Sequence, residues 1–255
     1  MMALMALLRI ATYNIRHAVG SGWRPQKPDI ARVAEVICAL DADVVCLQEV
    51  LTVTGRSAEE NQAAFLADAC GYPCRATGEN HRWANGGFGN VTLSRVPFLA
   101  HTNHDLTVGS RVPRGCLQAD FEFHGRIVHL FNLHLGLSWR ERGHQLAKLA
   151  HLARNAMHSS EDVRYTNALT IFAGDFNEWI PFRLQRWSAH ASEPPLRSKK
   201  GREQKRLTGH CLRTFRSNLP LLSFDGFFAS APPERISVHH SLASDHLPVV
   251  VEFTL

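Results

Sequence analysis

Five short polar clusters recur along the chain, and their residue types could do chemistry together. They are Asn14 in Thr12-Tyr13-Asn14-Ile15-Arg16, Glu49 in Leu47-Gln48-Glu49-Val50, His134 in Asn132-Leu133-His134-Leu135, Asp175 with Asn177 in Gly174-Asp175-Phe176-Asn177, and Asp245 with His246 in Ser244-Asp245-His246-Leu247-Pro248. Glu49 and the two aspartates offer carboxylate oxygens, the donors that a hard cation such as Mg²⁺ takes. Asn14 and Asn177 offer amides to phosphoryl oxygens. His134 and His246 offer imidazoles that can hold or move a proton near neutral pH. The inventory suits metal-assisted hydrolysis of a phosphate ester.

Each residue also has a plain structural reading. Glu49 ends an apolar run, where a carboxylate is costly to bury unless paired or metal-bound; a solvated strand-end glutamate is the alternative. Asn14 is either a turn former or an amide that bonds phosphate or orients a metal shell. Asp175 and Asn177, two apart on a Gly-preceded turn, could form an Asx turn. They could instead face one mouth, with Asp175 orienting water and Asn177 holding a phosphoryl oxygen as charge develops. Asp225, in Phe224-Asp225-Gly226-Phe227, is an acid inside an apolar strand and needs a partner, for which His246 is expected. His134 ends an alternating strand, and His129, five residues earlier, faces the other way. Gly86-Gly87-Phe88-Gly89-Asn90 precedes a strand rather than a helix, so it is no nucleotide fingerprint. It either lets the backbone approach the site with Asn90 at the mouth or is a flexible loop. Arg114 could supply a cation to substrate, whereas Arg140, Arg142, Lys148 and Arg154 read as a solvated helix face.

The elements that must position these groups follow from hydrophobic period. Residues 8–15 read as a strand; Pro28-Asp29 opens a helix with Ile30, Val33, Ala34, Ile37 and Leu40 at helical spacing; and Val44–Leu47 is a buried strand ending at Glu49. A second helix is expected over 59–70. Further strands are expected at 91–93, 116–123, 126–133, 168–173, 223–229 and 249–253, with His124-Gly125 as a two-residue hairpin turn. Ser138 and Glu141 predict a capping box and a helix carrying Leu146, Leu149, Leu152 and Ala156. Helices between some strands and hairpins between others favour an α/β (α+β) arrangement of mixed sheets over a purely parallel one.

The chain has 255 residues, 45% of them hydrophobic, so it can bury a large core, and one domain over 1–255 is expected. A formal charge of +5 fits an anionic substrate as well as an ordinary basic protein. The stretch 194–209, with Arg197, Lys199, Lys200, Arg202, Lys205 and Arg206, reads as a basic surface loop. No CxxC pair is present among the six cysteines, so structural zinc is not expected; Cys38 and Cys46 read as small core residues, and Cys70 and Cys74 are close enough to bridge. Reduced thiols, a cytoplasmic setting and a monomer are expected. The apolar N-terminus lacks a basic region, so a signal peptide is disfavoured, and no transmembrane segment is expected.

Taken in order, these segments resemble the endonuclease/exonuclease/phosphatase superfamily, which includes DNase I, neutral sphingomyelinases and inositol polyphosphate 5-phosphatases. Within it the chain looks like a compact bacterial branch of phosphodiesterases. The resemblance runs through 43–50, 89–97, 132–137, 173–179, 214–228 and 242–249. It implies a DNase I-like four-layer sandwich, two packed mixed β-sheets flanked by helices. It implies Glu49 as the metal ligand, with Asn14 and Asp245 at the metal, and Asp175, Asn177, His134 and His246 as catalytic groups. Asp225 would orient His246, and Asn14 and Asn177 would meet substrate, joined on the residue reading by Asn90 at the mouth and Arg114 as a cation. Two departures stand out. Asn132-Leu133-His134-Leu135 replaces the Tyr-centred motif of apurinic-site repair enzymes. Asn90 stands where DNase I has an acid beside the residue matching His134, and an amide stabilises an imidazolium less. The expected activity is Mg²⁺- or Mn²⁺-dependent hydrolysis of a phosphodiester, with nucleic acid or a phospholipid headgroup as substrate. A phosphatase and a non-catalytic binding module on the same fold are the alternatives.

Overall fold

A computed structural model describes residues 6–22, 27–52, 61–84, 86–158, 167–193 and 205–255. Two six-stranded mixed sheets pack face to face, with helices on both outer faces. The first sheet contains β1 (Leu7–Asn14), β2 (Val44–Leu51), β3 (Cys74–Trp83), β4 (Gly86–Ser94), β11 (Arg235–Val238) and β12 (Val249–Thr254), in the order β11-β12-β1-β2-β4-β3. The second contains β5 (Phe98–Asp105), β6 (Gly115–Phe123), β7 (Arg126–His134), β8 (Leu169–Asp175), β9 (Thr208–Phe215) and β10 (Leu222–Ala229), in the order β5-β6-β7-β8-β10-β9. Parallel pairing joins β1 to β2 and β7 to β8; the other neighbours are antiparallel.

Three apolar layers hold this stack. Leu8, Ile10, Val44, Cys46, Val249 and Val251 meet Val128, Leu130, Leu169, Ile171 and Phe227 between the sheets. Helices α1 (Ile30–Leu40) and α2 (Gln62–Ala69) cover the outer face of the first sheet through Val33, Ile37, Leu40, Ala63 and Leu66. Helices α3 (Trp139–His158) and α4 (Pro181–Ala191) cover the second through Leu149, Ala153, Leu184 and Trp187. Asp29 caps α1 by accepting the Arg32 amide at 3.1 Å, as its position before the apolar period predicts. His124 and Gly125 both take positive φ, +47° and +79°, as a type I′ turn between twisted strands requires.

Several expectations change. Helix α2 begins at Gln62, and residues 53–60 lie outside the described ones. Glu141 does not complete a capping box: its carboxylate packs against Gly136 and lies 3.5 Å from the Gln145 amide. Cys38 is exposed rather than core, and its Sγ lies 2.7 Å from Cys70 Sγ, so Cys70 meets Cys38 across α1 and α2 instead of Cys74. Of the basic stretch, 194–204 lies outside the described residues, as does the N-terminal 1–5. Lys205 donates to the Ala168 carbonyl at 2.9 Å and Leu207 is buried, so the end of that stretch is packed. Trp179, Phe182 and Trp187 follow Asp175 closely and could read from sequence as apolar membrane contacts or as core packing; Trp187 is a core residue, edge-on to Phe172 and Phe228, whereas Trp179 and Phe182 are exposed.

Gly174 precedes the Asp175 corner with φ +144°, and a Cβ there would collide with the Leu133 carbonyl of the neighbouring strand. Gly174→Ala is therefore expected to lose more than about 2 kcal/mol, a drop in Tm read by thermal unfolding, because both backbone strain and a clash oppose it. An unchanged Tm would show that the corner tolerates a side chain.

Candidate active site

Parallel pairing brings strand ends to one rim of the sandwich. In the second sheet Asp175 pairs laterally with His134 on one side and with Asp225 on the other. In the first, Asn14 pairs with Gln48. Between the pairs Leu47–Val91 and Val50–Gly89, residues Gln48 and Glu49 oppose the single residue Asn90. This is a β-bulge, and Glu49 sits in it at φ +55°. Bulges re-aim side chains, and this one sends Gln48 between the sheets while Glu49 goes to the rim. Gln48 Nε2 donates to Asn132 Oδ1 at 2.8 Å and to Thr12 Oγ1 at 3.1 Å. Asn132 and Asn90 bond backbone carbonyls across the gap, Asn90 to Gly115 and Asn132 at 3.0 and 3.1 Å. These amides fasten the two sheets together directly under the rim.

Asp175 is the centre of the cluster. Its Oδ2 accepts from Asn14 Nδ2 at 3.0 Å and faces His134 Nε2 at 3.5 Å and His246 Nε2 at 3.8 Å. Its Oδ1 accepts the Asn177 amide at 2.9 Å, the Asx turn that the spacing allowed. His246 Nδ1 lies 2.7 Å from Asp225 Oδ2, and Thr214 Oγ1 donates to the same oxygen. Phe215 and Phe224 flank the His246 ring, at 5.1 and 6.2 Å between centroids. Burial opposes charge on His246, but the carboxylates of Asp225 and Asp175 outweigh it and hold the imidazole up at about 10. Burial lifts the Asp175 carboxyl to about 6 against the pull of His246. Between those values the pair exists as carboxylate and imidazolium.

His134 is different. Burial, and then the neighbouring Arg114, push its pKa well below the usual value, so it is neutral. Arg114 Nη1 lies 3.1 Å from His134 Nδ1, and a guanidinium can only donate. Nδ1 therefore accepts and Nε2 carries the hydrogen, pointing at Asp175. Asn90, expected to orient this ring at the mouth, is buried and bonds carbonyls instead; Arg114 and Asp175 fix the ring. Asn177 has φ +48° and gives its Nδ2 to the Leu135 carbonyl at 2.9 Å, which ties the β8 corner to the β7 corner.

Glu49 and Asp245 form the outer half. Glu49 Oε1 accepts from Asn14 at 3.2 Å and Oε2 lies 3.5 Å from His17 Nε2. Asp245 Oδ2 lies 3.3 Å from Arg16 Nε. Burial raises the Asp245 carboxyl; His246 and Arg16 pull it down, and the Glu49 charge pushes it up again. Two partly exposed carboxylates that repel each other in one cleft are a hard oxygen set that a divalent cation fits. Asn14, expected among the ligands, donates from its nitrogen to Glu49 and Asp175 and accepts the Arg16 amide at Oδ1, so it orients both carboxylates. Ser244 Oγ in turn holds the Asn14 carbonyl at 2.7 Å. Ligand atoms of Asp175, Asp225 and His246 also lie within 4.8 Å of one another, close enough to share an ion. Sequence reasoning missed Arg16, His17 and Thr214; the first two stand two and three residues after Asn14, and that nearness was the available signal.

Residues 11–246 match the Endonuclease/Exonuclease/phosphatase family. The chain belongs to that family. The uncharacterized protein YbhP of Escherichia coli (strain K12) is 30% identical over 245 residues, covering 89% of this chain and 88% of YbhP. An endonuclease/exonuclease/phosphatase from Beutenbergia cavernae aligns with TM-score 0.74 at 24% identity, over 98% of this chain and 72% of that one. TDP2 of D. rerio, solved with a single strand DNA product, aligns with TM-score 0.64 at 19% identity, over 97% and 98% of the two chains. These likenesses fix the DNase I-like fold of this family member.

Behind the site of this endonuclease/exonuclease/phosphatase protein lies a buried ion pair. Arg142, expected on a solvated face, is buried, with Nε 3.1 Å from Glu178 Oε2 and Nη1 on the Leu137 carbonyl at 2.6 Å. It clamps the segment after His134 to the segment after Asn177. Glu178→Ala leaves a buried guanidinium unbalanced and is expected to cost about 3–5 kcal/mol in denaturant unfolding; a loss under about 1 kcal/mol, the exposed-pair range, would contradict the clamp.

Proposed function

We propose that the chain hydrolyses phosphodiesters with the help of one divalent cation, Mg²⁺ or Mn²⁺, by in-line attack of water. The observation that carries this reading is the convergence of Asn14, His134 and His246 on Asp175 Oδ2, with the Glu49 and Asp245 carboxylates beside it. Glu49 and Asp245 would hold the cation, because they are oxygen donors at the open side, while His246 Nδ1 is already engaged by Asp225. When bound, the cation polarises a phosphoryl oxygen and eases charge on the leaving oxygen. Asp175, ionised above about pH 6, takes the proton of the attacking water. His246, kept protonated by Asp225, faces the phosphoryl group as a preorganised cation. His134 donates through Nε2, and Asn14 keeps Glu49 and Asp175 apart in fixed orientation.

Family membership and the single strand DNA product of TDP2 support phosphate ester hydrolysis with nuclease-like chemistry. A cytoplasmic monomer acting through one domain remains part of the reading. Bis-p-nitrophenyl phosphate tests the reaction class: saturable turnover that needs the metal supports it, and tight substrate binding without turnover would make the chain a binding module. Plasmid and phospholipid liposomes then divide the substrate classes.

The pH dependence follows from the same pair. The active form has Asp175 deprotonated and His246 protonated, so kcat/KM is expected to rise through about pH 6 and to fall as pH passes about 10. A rate that climbs without a plateau from acid to alkaline pH would place the base elsewhere.

A further inference from the structure

We propose that the face formed by the segments just after His134 and Asn177 docks the protein on an anionic lipid bilayer, with the catalytic rim turned toward the headgroups. Leu137 and Trp139 lie three and five residues beyond His134, and Trp179 and Phe182 two and five beyond Asn177. All four are more than half exposed, among the largest apolar exposures in the described residues. Exposed Trp, Phe and Leu cost free energy in water and signal a contact.

The charges beside them choose the partner. Trp139 and Phe182 line one open cavity of about 580 Å³ together with Arg140, His144, Arg183 and Arg186. Leu137 and Val112 line a second, about 540 Å³, with Arg111 and Arg114. The acid among these lining residues, Glu141, is buried and lies 3.9 Å from Arg111. The second cavity reaches the site, because Arg114 touches His134 at 3.1 Å. Protruding apolar groups ringed by arginines match the boundary between acyl chains and anionic headgroups.

A single-stranded nucleic acid would also meet arginines, but it needs open aromatic faces to stack on. Arg140 and Arg183 already lie over the Trp139 ring, their guanidinium carbons 5.1 and 5.3 Å from its centroid. Leu137, the most exposed of the four, offers no stacking face at all. The side chains suit insertion among lipids better than base stacking.

The proposal is read without turnover, so its failure leaves the hydrolase reading standing, and the reverse. Sedimentation with vesicles of phosphatidylcholine alone is compared with an equimolar phosphatidylcholine–phosphatidylglycerol mixture, with tryptophan emission followed in parallel. The wild type is expected to pellet with the anionic vesicles at low salt, to shift its emission to the blue, and to stay in solution with the neutral ones. Leu137→Ser with Phe182→Ala should abolish the pelleting. Arg140→Glu and Arg186→Glu should each weaken it by about fivefold or more. Circular dichroism confirms that these surface variants are folded. A wild type that ignores anionic vesicles overturns the proposal, as do variants that pellet like wild type. Variants that keep vesicle binding but lose affinity for oligothymidylate would assign the face to nucleic acid instead.

Discussion

Replacing His246 with alanine is expected to slow hydrolysis of bis-p-nitrophenyl phosphate by ~10²–10⁴-fold at saturating metal, with KM little changed. The imidazole makes one strong bond, 2.7 Å to Asp225, and its other nitrogen looks toward Asp175. Held positive by two carboxylates, it places a fixed cation where charge develops on phosphorus oxygens, and such an interaction strengthens only in the transition state. Asp225→Asn should act through the same ring. Without that carboxylate the imidazole loses its proton at lower pH, so the alkaline fall of kcat/KM should move toward neutrality, and the acid limb should move to lower pH because the Asp225 charge also raises the Asp175 carboxyl. Near-normal turnover by folded His246→Ala would remove the residue from the mechanism. An unshifted alkaline limb in Asp225→Asn would remove Asp225 as its positioning partner.

Glu49→Gln is expected to weaken metal activation by roughly a hundredfold, about 2.7 kcal/mol of metal binding, because one of two carboxylates loses its charge in a nearly isosteric change. The bulge that presents Glu49 is backbone geometry, fastened by Gln48 to the opposite sheet, so the fold should survive. The measurement is the metal concentration giving half-maximal turnover. It should rise sharply, and excess Mn²⁺ should recover part of kcat. A variant with the metal response of wild type would transfer the cation to the Asp175, Asp225 and His246 group, whose ligand atoms are mutually close.

Much of this site is legible in the chain before folding because several contributors stand at the ends of apolar strands. Asn14, Glu49, His134 and Asp175 stand at or near the C-terminal ends of largely buried strands, and parallel pairing sends such ends to one rim. Burial signals that Asp225 in its apolar strand must find a partner, and the family resemblance supplies His246 as that partner. What is not legible is long-range or backbone-borne. Asn14 and Asp175 are 161 residues apart, and no local pattern links them. The bulge at Glu49 looks like ordinary strand. Strands β3 and β5 are largely exposed and so lack apolar alternation, which is why their sequences read as connection. Helix α4 carried a signal that went unused, Pro181 at its first turn. Arg142 shows the limit of reading charge on a helix as solvated: its partner Glu178 comes from a loop that helix periodicity does not reveal.

The most direct test of a metal-assisted hydrolase built on these side chains is turnover of bis-p-nitrophenyl phosphate by the purified chain after chelation, followed by titration with Mg²⁺. Turnover should vanish with the chelator and return along a saturating curve that involves Glu49 and Asp245. Undiminished turnover in chelator would contradict the account.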